Sequence, residues 1–111
     1  MGFEYFYGFV GGDANQWQPN LFRNTTQIYP FDGDPNWNLI TGMADDAIAH
    51  ITRLHQLDPN KRFFVKYAPG ATHAPHHPTK EWVKKIEAMK LFDDGYEALR
   101  QTIFDNQKKL G

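Results

Sequence analysis

The sequence RFFVKYAP, residues 62–69, is the feature that most limits what this chain can fold into. It is nearly continuous in aromatic and apolar residues, follows the turn-forming sequence LDPNK and ends before a glycine, a pattern typical of a buried strand. The sequence therefore predicts one strong strand at about 62–67. A strand needs hydrogen-bonding neighbours on both edges, and the chain offers only weak ones. We therefore expect a section of a larger α/β protein that self-associates through exposed edges.

The segment before this strand has the clearest helical periodicity in the chain. Apolar residues recur there at three- and four-residue spacing and predict a helix over about 41–57. Thr41 is expected to be its N-cap, with Asp45 and Asp46 in the first turns, where carboxylates interact favourably with the helix dipole. A helix followed directly by a buried strand is half of an α/β unit. The apolar residues of the predicted helix face are Ala44, Ala47, Ile48, Ile51 and Leu54.

Two further helices are predicted after residue 78. Thr79 is a suitable N-cap for a helix over about 79–89. A second helix is predicted over about 95–110, and Asp94 and Glu97 have the spacing of an acidic capping box at its start. Both segments carry apolar residues at helical spacing.

The first 38 residues are predicted to be mostly ordered loop. Aromatic residues alternate along residues 3–9, as in a short extended segment. Residues 13–38 are rich in Asn, Gln, Pro, Asp and Gly, and within them the sequence LFRNTTQIYPF predicts a short hairpin. A loop region of this length is uncommon in a small independent domain, which again suggests that it lies against other structure.

Length and composition restrict the class of protein. The chain has 111 residues, with 41% apolar and 15% aromatic residues, and we treat residues 1–111 as one segment of a globular domain. Its net charge of −1 gives no basic surface for nucleic acid or for an anionic membrane. It contains no cysteine, which excludes disulfides and thiolate chemistry. We find no signal peptide and no apolar run of roughly 20 residues, and the cellular compartment, cytoplasm or periplasm, stays open.

Three histidines follow the predicted strand: His73, His76 and His77 in the sequence APGATHAPHH. Ligands of open α/β sheets bind beyond the carboxyl ends of strands, where this loop is expected to lie. A three-histidine zinc site is one interpretation, but the adjacent pair and two flanking prolines make convergence of the three rings difficult. A solvated surface loop is the simpler interpretation. From spacing alone the alternatives remain open, with the surface loop favoured and no metal ligand assigned.

The sequence FFVKYAPGATHAPHHPTKEW resembles the bacterial arylsulfatases, members of the sulfatase family with the alkaline-phosphatase-like fold. The sequence GFEYFYGFVGGDANQWQPNLFRNTT resembles the family's stretch after its lysine-tryptophan-histidine motif. The sequence LFDDGYEALRQTIFDNQKKLG resembles its segment after the histidine loop. The resemblance covers nearly the whole chain in the family's order. It implies that residues 1–111 are the middle part of a sulfatase catalytic domain.

The resemblance also implies chemistry. Family enzymes hydrolyse sulfate esters with a formylglycine nucleophile and a calcium ion, and the small-molecule partner would be a sulfate ester. The histidine of the THAP motif corresponds to His73, which is implied to contact the sulfate and to help protonate the departing oxygen. His76 and His77 match the motif as well, but the resemblance implies no direct catalytic role for them, and we expect them to shape the loop or contact residues around the site.

The sequence departs from the family where the nucleophile and the metal are concerned. It has no Cys/Ser-x-Pro-x-Arg motif, so no formylglycine can form in this chain, and neither Asp45-Asp46 nor Asp93-Asp94 resembles the calcium pair. The chain itself is therefore expected to need no cofactor and to lack sulfatase activity. The alternative interpretation is a non-catalytic, truncated or degenerate sulfatase-like module used for binding or assembly. The natural substrate is not determined by the sequence.

Overall fold

The structure is a computed structural model that describes residues 2–111. The chain divides into two units, Met1–His77 and Pro78–Gly111. The first holds strands β1 (Tyr7–Phe9), β2 (Leu21–Arg23) and β3 (Thr26–Ile28) and helix α1 (Leu39–Leu57). The second holds helices α2 (Lys80–Ala88) and α3 (Gly95–Leu110). The fold class is therefore mixed α/β, with a small antiparallel sheet.

The three strands form one sheet in the order β1-β2-β3, and both pairs are antiparallel. The predicted hairpin is confirmed: β2 and β3 are joined by Asn24 and Thr25, and Arg23 lies opposite Thr26. Asn24 has a φ of 54°, a conformation that asparagine tolerates better than most residues. Its backbone N–H donates to the carbonyl of Phe6 at 2.8 Å, and its side-chain oxygen accepts from the N–H of Phe6 at 3.0 Å. This turn therefore also holds the chain that leads into β1.

Helix α1 begins two residues earlier than predicted. Asn38, not Thr41, is the N-cap: its side-chain oxygen accepts a hydrogen bond from the N–H of Ile40 at 3.1 Å. Asp45 and Asp46 therefore lie beyond the first turn, which contains no acidic residue, and the prediction that they interact with the helix dipole was wrong. The ring of Trp37 packs against Gly42, where a Cβ would lie 2.7 Å from Trp37 Cζ2. A side chain at position 42 would displace this ring.

The core of the first unit is small. Leu21 on β2 and Leu39 at the start of α1 are fully buried, and Pro19 just before β2 is buried as well. Helix α1 packs on β1. Most of its predicted apolar face is half-buried, but Ile48 is 62% exposed. The core thus lies where the hairpin meets the first turn of α1.

The strand predicted at about 62–67 is absent, which corrects that prediction. Residues 61–70 have no regular secondary structure, and every side chain from Arg62 to Tyr67 is exposed. No backbone hydrogen bond within the described residues involves positions 62–67. The physical reason is the absence of a neighbouring strand, because a strand is stabilised by its ladder partners and not by composition alone. The histidine loop consequently follows a segment without regular secondary structure.

The helices of the second unit agree closely with the predicted ranges. Thr79 is the N-cap of α2, and its hydroxyl accepts from the N–H of Trp82 at 3.5 Å. Asp94 stands at the N-cap position of α3 without a side-chain capping bond, so the predicted capping box does not form. Neither helix buries a residue, and the two do not pack on each other. None of the helices in the described part of the chain is long and apolar enough to cross a membrane.

Candidate functional site

The histidine loop is attached to the rest of the first unit through His77. The ring Nδ1 of His77 accepts a hydrogen bond from the backbone N–H of Gln16 at 3.4 Å, and its carbonyl accepts from Asn38 Nδ2 at 3.3 Å. Gln16 and Asn38 are each only 4% exposed. The carbonyl of Gln16 in turn accepts from the N–H of Leu39 at 2.7 Å. Two buried polar residues, Gln16 in the loop between β1 and β2 and Asn38 at the N-cap of α1, therefore fix the end of the loop.

The beginning of the loop is held by close packing at Gly70. A Cβ at this position would lie 3.3 Å from Gln16 Nε2 and 3.3 Å from Phe9 Cζ. Gln16 therefore contacts both ends of the loop, close to Gly70 and bonded to His77. The sequence interpretation did not single out Gln16 or Asn38, since an isolated polar residue in an Asn- and Gln-rich region carries no distinguishing pattern.

His73 lies at the exposed part of the loop. Its backbone N–H donates to the carbonyl of Gly70 at 3.0 Å, closing a tight turn. Its ring Nδ1 is 2.8 Å from the carbonyl oxygen of Ala74. A carbonyl can only accept, so Nδ1 carries the hydrogen in this contact and Nε2 is the nitrogen left facing outward. The neighbouring residue thus selects the ring tautomer of His73.

The two other histidines have different surroundings. His76 is exposed and makes no hydrogen bond to a described residue, whereas His77 is half-buried and uses Nδ1 as an acceptor. His77 therefore carries its hydrogen on Nε2, opposite to His73. Within residues 2–111, the structure brings no three His, Asp, Glu or Cys side chains into a group that could hold a metal ion. The histidines are close in sequence but do not converge.

A cavity of about 420 Å³ lies beside the loop. Pro75 lines one side of it, and polar side chains from the loop after β1 line another. These polar residues are Asp13, Asn15, Gln18 and Asn20. The lining contains one carboxylate and no cationic side chain, and the imidazole of His73 is not part of it. The cavity as it stands does not have the charge expected for binding an anion.

A second polar cluster joins the sheet to α1, and the sequence interpretation missed it. The hydroxyl of Tyr5 donates to both carboxylate oxygens of Asp46, at 3.0 and 2.7 Å. Arg23 Nη2 forms an ion pair with Asp46 Oδ1 at 2.8 Å. The ring of His50 stacks on Tyr5 with centroids 4.0 Å apart, and the guanidinium of Arg23 lies 5.4 Å from the centre of the Tyr7 ring.

The electrostatics of this cluster favour its present protonation state. Burial, followed by the hydrogen bond to Asp46, raises the pKa of the Tyr5 hydroxyl. Burial also raises the pKa of Tyr7, and the hydrogen bond to Asp46 raises the pKa of Arg23. Tyr5 therefore stays a neutral donor and Arg23 a cation. With its carboxylate bonded to these two partners, Asp46 holds β2 and the segment just before β1 against α1.

Comparisons with known proteins give no family. A scan against protein-family models, a search of curated proteins and a search of solved structures each found no match to this chain.

Proposed function

We propose that this chain is the middle part of an arylsulfatase catalytic domain with the alkaline-phosphatase-like fold, an enzyme that hydrolyses sulfate esters. The sequence resemblance around the histidine loop supports this proposal. The observation that carries the chemistry is the geometry of His73. Its Nδ1–H is bonded to Ala74 at 2.8 Å, and the imidazole is exposed, so Nε2 is free to meet a ligand.

The role of His73 follows from the charge that develops during ester hydrolysis. The bridging oxygen of a sulfate ester becomes negative as its bond to sulfur breaks, and the leaving alcohol must gain a proton. An imidazolium that donates from Nε2 would stabilise this oxygen and transfer the proton to it. The contact between Nδ1 and Ala74 persists in both protonation states, since Nδ1 carries a hydrogen in each. The ring therefore needs no reorientation during the transfer.

His77 would support this role without contacting the ester. Its bonds to Gln16 and Asn38 fix the end of the loop that carries His73. His76, exposed and without such bonds, has no comparable supporting contact.

Calcium and formylglycine, which the resemblance implies for the complete enzyme, do not fit the residues present here. The chain contains neither cysteine nor serine from which formylglycine could be made. The described residues also offer no group of three suitable metal ligands. No catalytic step is therefore assigned to either group in this chain, and we expect the 111 residues alone to show no turnover of an aryl sulfate.

The proposal is tested with His73→Ala in the complete enzyme. Loss of a positioned general acid lowers kcat by roughly 10²–10⁴-fold. The effect should shrink for an ester whose leaving phenol is strongly acidic, because that oxygen needs less protonation. His76→Ala is the matched control and should stay within a few-fold of wild type. Equal kcat values for wild type and His73→Ala on a poorly acidic leaving group would contradict the assigned role.

A specific observation also favours the alternative, a non-catalytic module for binding or assembly. Large apolar side chains are exposed in both units, including Phe64 (79%) and Tyr96 (75%). Surfaces of this kind commonly mark contacts with other protein. If the complete polypeptide binds a sulfate ester but does not hydrolyse it, the alternative replaces the enzyme proposal.

A further inference from the structure

The ring of His77 is held by a hydrogen bond that only a neutral imidazole can accept. The backbone N–H of Gln16 donates to Nδ1 of His77 at 3.4 Å. A backbone N–H can only donate, so Nδ1 is the ring nitrogen without a hydrogen. An imidazolium carries a hydrogen on both nitrogens and accepts no hydrogen bond. Uptake of a proton by His77 at Nδ1 therefore breaks this bond and turns two N–H groups toward each other.

Gln16, the donor in this bond, is placed so that its loss affects the whole histidine loop. Gln16 is only 4% exposed, so a released N–H has little access to water. A buried polar group without a partner costs free energy, and among the described residues the side-chain Oε1 of Gln16 already lacks one. Gln16 also lies against Gly70 at the start of the loop, where a Cβ would be 3.3 Å from Nε2. A change at Gln16 is therefore felt at both ends of the loop.

A second hydrogen bond of His77 does not respond to protonation. Asn38 Nδ2 donates to the backbone carbonyl of His77 at 3.3 Å, and a carbonyl remains an acceptor when the ring is charged. Asn38 is also the N-cap of α1, so this attachment is tied to the helix. Protonation therefore frees the ring of His77 and the N–H of Gln16, while the chain stays attached at Asn38.

The charged groups of this region do not replace the lost bond. The partners of His77 come from the loop between β1 and β2 and from the N-cap of α1, and both are uncharged amide groups. Other titratable groups of the region are His73 and His76 in the histidine loop, and Asp13, which lines the cavity beside Pro75. In the described part of the chain none of the three forms a hydrogen bond or an ion pair with His77. An imidazolium at position 77 thus gains no carboxylate partner from these contacts.

We propose that the histidine loop, residues 70–77, is held by a pH-sensitive latch, in which neutral His77 accepts from Gln16 and protonated His77 releases it. Histidine exchanges a proton between about pH 5 and 8. The bond belongs to the form without the proton, so its contribution is present at the upper end of this range and is lost as the pH falls through it. His73 lies in the same loop, and its mobility is expected to rise as the latch opens. The inference does not depend on the proposed sulfatase function, and its test uses no sulfate ester.

Amide hydrogen exchange of the 111-residue chain, followed by NMR between about pH 5 and 8, tests the latch. The amide of Gln16 is the direct reporter, because its N–H is the donor. Dividing each rate by the intrinsic exchange rate at the same pH gives a protection factor. We expect this factor to fall roughly 2- to 10-fold for Gln16 as the pH is lowered, the effect of losing one hydrogen bond. Gly42, whose N–H donates to the carbonyl of Asn38 at 2.9 Å, is the internal control and should keep its protection factor.

Three variants separate the latch from other effects of pH. His77→Asn places an amide oxygen where Nδ1 lies, and this acceptor does not titrate, so the protection factor of Gln16 should stay constant across the range. His77→Ala removes the acceptor, and the protection factor of Gln16 should be low at every pH. His76→Asn is the matched control and should keep the wild-type pH dependence, because His76 is exposed and makes no hydrogen bond to a described residue.

The inference is supported if the pH dependence at Gln16 is present in wild type and His76→Asn and absent in His77→Asn. The same pH dependence in wild type and His77→Asn overturns it, since another group would then control the loop. A Gln16 protection factor that follows Gly42 at every pH in wild type overturns it as well. If the His77 variants do not fold, the ¹⁵N chemical shift of His77 Nδ1 in wild type decides: protonation of Nδ1 and loss of protection at Gln16 must occur over the same pH range, and separate transitions overturn the latch.

Discussion

Two regions of the first unit, the hairpin Leu21–Ile28 and the segment Arg62–Tyr67, differ in whether they form strands. The first is a hairpin with moderately polar sequence, and its strands pair with each other and with β1. The second is richer in aromatic and apolar residues, yet it forms no strand. From their apolar and aromatic content alone, Arg62–Tyr67 would be predicted as the stronger strand of the two. The difference lies in the partner: a two-residue turn brings β3 beside β2, whereas no described strand is hydrogen-bonded to Arg62–Tyr67, which meets the N-terminal segment through the rings of Phe3 and Phe64, whose centroids are 6.0 Å apart.

The comparison shows which property of a strand is local. Strand propensity measures how well a side chain fits a pleated, partly buried surface, and that surface exists only when neighbouring strands are present. Hairpin formation is local because a short turn is sufficient to bring both strands together. The run at 62–67 has no such turn, and its pairing depends on residues distant in sequence or on another chain.

The comparison is tested most strongly at the core of the hairpin. Leu21 is completely buried, so Leu21→Ala should lower the free energy of unfolding by about 2–5 kcal/mol through lost burial and the cavity left behind. Leu57→Ala, the same change at a side chain 78% exposed, should stay within about 0.5 kcal/mol. Urea denaturation of both variants measures the difference. Similar losses for the two would show that the hairpin does not form the core of this unit.

Hydrogen exchange compares the two regions directly. In dilute solution, where sedimentation shows a monomer, amides of Arg62–Tyr67 should exchange at near-unprotected rates. The hydrogen-bonded amides of β2 and β3 should exchange roughly 100-fold more slowly, since their opening requires unfolding of the sheet. Mass spectrometry of peptides covering each region gives both rates in one experiment. Strong protection of residues 62–67 in the monomer would mean that this segment has an intramolecular partner.

A smaller effect is expected where the unpaired segment ends and the chain is held again. Asn38 caps α1 and also donates to the carbonyl of His77. Asn38→Ala should therefore lower the free energy of unfolding by about 0.5–2 kcal/mol, as for other N-caps. It should also increase exchange in the histidine loop. Thr41→Ala is the control, because Thr41 lies inside the helix with an exposed side chain, and should change stability by a few tenths of a kcal/mol or less. An equal decrease in the free energy of unfolding for Asn38→Ala and Thr41→Ala would contradict the assignment of Asn38 as the N-cap.

Local patterns predicted much of the secondary structure correctly. The helix ranges agree within about two residues, the Thr79 cap is confirmed, and the hairpin at LFRNTTQIYPF is present. The treatment of residues 1–111 as one segment of a sulfatase domain stays a prediction, as do the sulfatase activity and the role of His73. The three helices and the hairpin were accessible to sequence reasoning because each depends on contacts between residues a few positions apart.

The candidate site was only partly predictable. The histidine loop could be located from its composition, and so could its exposed His73. Which nitrogen of each ring is free depends on the carbonyl of Ala74 and the N–H of Gln16, and the second of these lies 61 positions from His77. The cluster of Tyr5, Arg23 and Asp46 joins residues up to 41 positions apart. The spacing of residues along the sequence does not predict contacts between residues so far apart.

The sequence by itself determined the helices, the hairpin turn and the position of the histidine-rich loop, because hydrogen bonds and apolar spacing within each segment define them. Only the tertiary structure decided that Asn38 caps α1, that Asp46 is held by Tyr5 and Arg23, and that Arg62–Tyr67 is left unpaired. These outcomes depend on which segments meet in space. In a strand, every ladder hydrogen bond has its partner in another segment, so composition can predict a strand only where such a partner is also present.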